Sequence, residues 1–141
     1  MPKPIKQDTY DSQAINSQNR TKALEDALRD VRNVHNNPQI DTFYAFTLDD
    51  PGMCVEAMSD SPTTFFVTAD GTLNWEDGAV IEVCQMGQGT VTLAPDSGVQ
   101  LLSDGGSLST AGQYATIGLR HRAPNMWIVS GDLGDAPPPS S

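Results

Sequence analysis

Beyond residue 40, short runs of apolar or alternating residues are separated by sequences rich in Gly, Pro, Asp and Asn. The runs are FYAFTL, MCVEAM, TTFFVT, AVIEVCQM, TVTL, VQLL, YATIGL and MWIV. Strand-length runs with turn signals about every eight to twelve residues are typical of all-β domains. The pattern predicts a mainly β fold over residues 40–133, a compact β-sandwich or small barrel, and leaves no place for a crossover helix.

Residues 21–37 follow a different periodicity, in which apolar positions recur at the spacing of an α-helix. The residues on the shared face are Leu24, Leu28, Val31 and His35. Pro38 sets the expected end, because a helix rarely continues up to a proline. Isolated helices of about 15 residues are marginal in water, so this face needs a partner. The four residues are therefore predicted oligomer contacts in a parallel trimeric coil; the alternative is that they pack on the chain's own β domain.

Both ends of the chain lack apolar periodicity. Residues 1–20 are polar and contain Pro2 and Pro4, so we expect an extended arm that anchors the protein to a partner. Residues 134–141 are rich in proline and are expected to form a disordered tail. The start lacks the apolar stretch of a signal peptide, and no run approaches the ~18 apolar residues of a membrane span. The protein is expected to be made in a cytoplasm, without a membrane span.

Charge is distributed unevenly along the 141 residues, which carry 8 Lys and Arg against 18 Asp and Glu for a net charge of −10. From residue 40 onward, Arg120 and Arg122 are the only basic residues, against thirteen acids. An acidic domain of this kind repels phosphate backbones. Binding to nucleic acid is therefore disfavoured, while mutual repulsion favours solubility of a densely displayed protein.

Catalytic and metal-binding patterns are weak throughout. The two cysteines and two histidines have no zinc-site spacing, and neither histidine has the partners of a nucleophilic triad. The acids lie mostly in turn sequences, where Asp caps the backbone, and GQG and DGG are interpreted as hairpin turns that require positive φ. We expect no catalytic residue, no cofactor and no metal ion. Trp75, between Asn74 and Glu76, is the predicted surface-binding residue, because aromatic residues are enriched at interfaces.

An ordered series of short motifs runs from residue 77 to residue 133. The motifs are Gly78, Gly87–Gly89, Thr90–Thr92, Gly98–Leu101, Gly105–Gly106, Ala111–Tyr114, Asn125–Trp127 and Gly131–Leu133. The series resembles a β module found in bacteriophage tail fibres, tailspikes and other virion proteins, and the likeness extends more weakly over residues 43–67. The segment VTADGTLNWEDG departs from the module and is expected to be an elaborated loop with an individual function.

The resemblance implies a non-enzymatic structural protein of the virion, usually a homotrimer. Because only an arm and a helix precede the module, we expect a capsid decoration or cement protein, or a short head fibre. Residues 1–20 would then bind the major capsid protein or another virion subunit. The alternative is a short tail-fibre or receptor-binding module that contacts a host-surface glycan.

Overall fold

The computed structural model describes residues 19–25 and 33–135. The chain divides into two compact units, Met1–Val34 and His35–Ser141. Residues 19–25 of the first unit are helical and exposed, with Leu24 66% exposed. Leu28, Val31, most of the predicted arm and the proline-rich tail lie outside the described residues, so the trimeric coil stays a prediction. No helix in the described part of the chain is long and apolar enough to cross a membrane.

The second unit is mainly β and contains nine strands within the described residues. They are β1 (His35–Gln39), β2 (Phe43–Ala45), β3 (Met53–Ala57), β4 (Thr63–Val67), β5 (Val80–Gln85), β6 (Val91–Pro95), β7 (Gln100–Ser103), β8 (Thr116–Ala123) and β9 (Met126–Gly131). A short 3₁₀ turn, Asp104–Gly106, follows β7. Each of the eight predicted runs overlaps one of these strands, which confirms the predicted mainly β fold.

The strands form two sheets, with the orders β1-β3-β5-β8-β9-β7 and β2-β4-β6. From β1 to β6, successive strands alternate between the two sheets, and the neighbours within each sheet pair in parallel. The chain therefore winds three times around one core, in coil 1 (residues 35–52), coil 2 (residues 53–79) and coil 3 (residues 80–99). Strand β8 pairs antiparallel with β5 and β9, and β7 extends the large sheet beside β9.

The core lies between the two sheets and is built from alternate residues of the strands. Ile81 and Val83 of the large sheet and Phe65 and Leu93 of the small sheet belong to one buried cluster. Alternate side chains of a strand point to opposite sides of its sheet, so one side of each strand faces the other sheet. The opposite side of the large sheet remains outside this core, and this surface is called the outer face below.

Gly87 and Gly89 lie close to the backbone of the preceding coil. A Cβ atom at either position would overlap a backbone carbonyl of the coil 2 turn, that of Ser59 or Ser61. Neither glycine has positive φ, and the turn connects strands of different sheets. The interpretation of GQG as a hairpin turn is therefore wrong, because the glycines are needed for close contact between coils. Gly105 and Gly106 do have positive φ, although their turn is not a hairpin either.

Strand β1 replaces the end of the predicted helix. His35 is the first residue of this strand, so its placement on the helical face with Leu24 is wrong, and the β unit begins at residue 35 rather than 40. The strand HNNPQ lacks apolar alternation, so its sequence does not predict a strand. Pro38 is tolerated because β1 is an edge strand, where a missing N–H leaves no ladder hydrogen bond unmade.

Candidate functional site

Trp75, the predicted surface-binding residue, belongs to the core and is only 4% exposed. Its Nε1 donates to the carbonyl oxygen of Thr68 at 3.0 Å, and its ring packs edge-on against Trp127 with a centroid distance of 5.2 Å. The prediction of an exposed contact is wrong because the β4–β5 connection folds back over the core. The sequence signal for this arrangement was the alternation of apolar Leu73, polar Asn74 and apolar Trp75. In the structure these residues are half-buried, exposed and buried in turn.

His121 fixes the same connection from strand β8. Its buried ring lies 2.8 Å from Asp70 through Nε2 and 3.0 Å from the carbonyl oxygen of Glu76 through Nδ1. Both ring nitrogens therefore face oxygen atoms of the β4–β5 connection, which hold the ring in one orientation. The hydrogen bonds of the ring within the described residues reach no Ser, Thr or Cys side chain. The pair is arranged to clamp the loop rather than to activate a nucleophile.

A small cleft of about 310 Å³ lies beside the clamped loop. The residues that line it are Leu48, Pro51, Asn74, Trp75, Glu76, Asp77, Gly78 and Ala79. Its charged groups are two carboxylates, and none of the lining residues is basic. The cleft therefore offers no side chain that would neutralise an anionic ligand.

The outer face carries a row of four side chains across four strands. Val80, Arg120, Ile128 and Leu102 are consecutive cross-strand partners. Val80 is 47% and Leu102 is 44% exposed, and Ile128 is half-buried. Cross-strand neighbours on one side of a sheet contact each other. The row therefore forms an apolar strip that is interrupted by one arginine.

Gly118 lies in the next row, between Glu82 and Ser130. Its φ is not in the left-handed region, and a Cβ atom there would meet nothing within 4 Å. The fold of the single chain therefore does not require glycine, although glycine inside a strand costs roughly 0.5–1 kcal/mol relative to alanine. Such a residue often marks a place where another backbone approaches closely.

The outer face also carries both basic residues of the β unit. Arg120 and Arg122 are exposed on β8, and neither forms an ion pair with any residue the structure describes. Glu56 on β3 and Glu82 on β5 lie on the same side of the sheet. One part of the outer face is therefore cationic and a neighbouring part is anionic, so the surface is complementary to itself.

The two cysteines lie on the anionic part. Cys54 is opposite Glu82 and Cys84 is opposite Glu56, and both thiols are free. Burial raises the pKa of Cys54 to about 12, and the nearby charges of Glu82, Cys84 and Glu56 act in the same direction. Diagonal neighbours in a sheet are about 7–8 Å apart, which exceeds the usual span of a disulfide. Within the described ranges, no group of three or more His, Cys, Asp or Glu side chains is placed to hold a metal ion.

Comparisons with known proteins find no family model and no curated protein that matches this chain. The outer face is the strongest candidate site. It combines an apolar strip, a glycine that the fold does not require, and charges of both signs that form no ion pair with the described residues.

Proposed function

We propose that this protein is a non-enzymatic structural component of a bacteriophage particle and works as a homotrimer. It would be a capsid decoration or cement protein or a short head fibre, anchored through residues 1–20 to the major capsid protein or another virion subunit. The observation that supports this proposal is the outer face of the large sheet, which we assign as the contact between copies. Its apolar strip with a single arginine resembles the centre of a protein interface, where Arg is enriched and Lys, Glu and Asp are depleted.

Charge favours a second copy as the occupant of the outer face. The β unit has thirteen acids from residue 41 to residue 135, so two copies repel each other over most orientations. Arg120 and Arg122 are its only basic residues, and both lie on this surface. A cyclic arrangement can place Arg120 of one copy against Glu82 of the next, since a head-to-tail contact joins two different parts of the same surface.

The helical segment supports association as well. Leu24 is 66% exposed, and short amphipathic helices gain most of their stability from packing against a partner. A threefold bundle of such helices, in addition to the contact between β units, would combine two weak contacts into one stronger assembly. The expected location is then the virion, with the β units displayed on its surface.

A receptor-binding or tail-fibre module is the second candidate function. Trp75 was the residue expected to contact a host glycan, and its burial removes that support. Tyr114 supplies a different observation in favour of this function, because its ring is exposed and could contact a carbohydrate.

Sedimentation equilibrium of the full chain tests the proposed contact. We expect a trimer, and we expect Gly118→Lys to dissociate it because the new side chain would project from the outer face into the contact. Gln88→Lys adds the same charge at an exposed turn and serves as the matched control. A monomeric native protein, or an unchanged trimer in Gly118→Lys, would overturn the contact.

Location is tested on phage particles purified from the source bacterium. An antibody against the recombinant protein should detect it in those particles, and cryo-electron microscopy should show threefold density on the capsid shell. Density only at the tail would favour the receptor-binding alternative. Absence from purified particles would rule out a structural role in the virion.

A further inference from the structure

Tyr114 occupies a backbone position that normally favours glycine. The N–H of Ala115 donates to the carbonyl oxygen of Gly112 at 3.1 Å, so residues 112–115 form a β-turn. Tyr114 is its third residue and has φ of 69°. Positive φ at this position is characteristic of type II turns, which place Gly or Asn there. A bulky residue in this conformation is a true outlier.

The folded chain gains little from the aromatic ring in return for this strain. Tyr114 is 66% exposed, and its ring and hydroxyl make no aromatic contact or hydrogen bond with the residues that the structure describes. Strained positions of this kind persist where the surrounding structure holds them, and they cluster at binding sites. The observed outlier therefore points to a use of the ring outside the fold.

The turn is held firmly in place. The N–H of Tyr114 donates to the carbonyl oxygen of Gln85 at 2.6 Å, and Nε2 of Gln113 donates to the carbonyl oxygen of Met86 at 3.1 Å. Both acceptors lie at the end of the central strand β5 or directly after it. A ring on a fixed backbone loses little further freedom on binding, so the position is preorganised for a ligand.

A shallow groove of about 610 Å³ runs beside the ring. Its walls include Ala111, Gly112 and Gly131, whose small side chains leave the space open. Asp132 lines the groove and accepts from the N–H of Thr116 through Oδ2 at 3.2 Å, while its Oδ1 makes no hydrogen bond within the described residues. No basic side chain lines the groove, so it does not match an anionic ligand.

We propose that this groove binds a neutral sugar ring, stacked on Tyr114 with a hydroxyl donating to Asp132. The negative face of an aromatic ring attracts the polarised C–H groups of a pyranose, and the free carboxylate oxygen accepts from its hydroxyls. A quaternary ammonium is a poorer match, because such cations are held in cages of several aromatic rings. The proposal deepens the second candidate function by naming its site, and it does not depend on trimer formation.

Saturation-transfer NMR on the full chain tests the assignment. The probes are methyl glycosides of glucose, galactose, mannose and N-acetylglucosamine, together with choline. We expect at least one glycoside to bind the native protein and Tyr114→Asn to weaken that binding by roughly tenfold, the scale of one aromatic contact. Because Asn tolerates positive φ, the melting temperature of Tyr114→Asn should be unchanged or higher, which excludes loss of the fold.

Phe43→Ala is the matched control, because Phe43 is another exposed aromatic residue of the β unit. This variant should bind the glycoside as the native protein does, and Tyr114→Phe should retain most of the binding. The assignment is overturned if no glycoside binds, if Tyr114→Asn binds equally well, or if choline is preferred. It is also overturned if Tyr114→Asn disrupts the trimer while no sugar binds, since Tyr114 would then be an assembly contact. If the native protein is monomeric and still binds the sugar, the proposed trimer is refuted and the proposed sugar site is retained.

Discussion

Gly89 shows how a single residue type controls the spacing between coils. Its N–H donates to the carbonyl oxygen of Ser59 at 3.1 Å, and its Cα lies so close to Ser61 that no side chain fits. The turn sequence of coil 3 is therefore determined by the backbone of coil 2. This role differs from the conformational freedom for which glycine is usually selected in turns.

Gly89→Ala should destabilise the β unit by about 1–3 kcal/mol, because the added methyl group would push two coils apart. Urea unfolding of the full chain measures the change. Gly71→Ala is the matched control, since Gly71 has no positive φ and a Cβ atom there meets nothing within 4 Å. An equal effect of the two substitutions would contradict the assigned role of Gly89.

Ionisation of Cys54 and Tyr44 makes the free energy of unfolding depend on pH in the alkaline range. Burial is the largest cause that raises the pKa of each group, to about 12 for Cys54 from a model-peptide value of 9.0. The folded protein thus holds both protons more tightly than the unfolded chain does. The resulting stabilisation is complete below about pH 9 and is lost as the pH rises toward 12.

Urea unfolding between pH 8 and pH 11 should show this loss, and Cys54→Ala should reduce it. Thiol labelling gives an independent check, because the thiolate is the reactive form. At pH 8, Cys84→Ala should leave only a slowly labelled thiol, whereas Cys54→Ala should leave the faster, half-buried Cys84. Equal labelling rates in the two variants would contradict the assigned environment of Cys54.

Asp50 joins the elements of coil 1. Its buried carboxylate accepts from Nδ2 of Asn37 on β1 at 3.0 Å, from the hydroxyl of Tyr44 on β2 at 2.7 Å, and from the N–H of Thr47 at 2.8 Å. These bonds replace the apolar contacts that strand β1 lacks. Strand β1 is therefore joined to the rest of coil 1 through polar side chains.

Asp50→Ala should lower the free energy of unfolding by about 2–4 kcal/mol, because three donors lose a charged acceptor. Asp49→Ala removes an exposed carboxylate from the adjacent position and should change stability by no more than about 0.5 kcal/mol. Chemical unfolding of both variants provides the comparison. If Asp50→Ala were as stable as Asp49→Ala, the polar network would not hold coil 1.

The sequence pattern predicted the positions of the strands better than the pairing between them. Alternation located β2 to β9, because each of these strands has one side in the core. It missed β1, whose Asn37 is anchored by a side-chain hydrogen bond rather than by burial. Parallel pairing between coils was also not predicted, since periodicity within a strand carries no information about the neighbouring strand.

Site residues were harder to find because exposure depends on where loops fold. Trp75 has polar neighbours and still enters the core through its bond to Thr68. Tyr114 lies in a recognised motif, but its positive φ and exposed ring are visible only in the structure. Gly118 gives no sequence signal that separates it from a turn glycine.

At the scale of the whole molecule, coils 2 and 3 share the same turn length between the large and the small sheet. Ala57 pairs with Gln85 and Thr63 pairs with Val91, so the turns between the two sheets have equal length in both coils. Residues 57–84 thus form one complete repeat of the winding. Repeating units that contact only their neighbours can often be added or removed without changing the fold.

A duplicated segment 57–84, inserted after residue 84, should fold as a fourth coil if its turn carries Ser59→Gly and Ser61→Gly. The two glycines are needed because the inserted turn takes the place that Gly87 and Gly89 occupy above coil 2. Circular dichroism and a cooperative thermal transition would report folding. The same insertion with both serines retained is the control and should melt at a lower temperature; equal stability of the two insertions would contradict this packing.

The length of the two sheets, measured across their strands, is consequently fixed in discrete steps by the number of repeats in the sequence. Each added winding extends both sheets by one strand, or about 4.8 Å, while the closing strands β7 to β9 stay the same. Insertion of a single repeat would thus lengthen the β unit by a fixed step, while the closing strands keep their sequence.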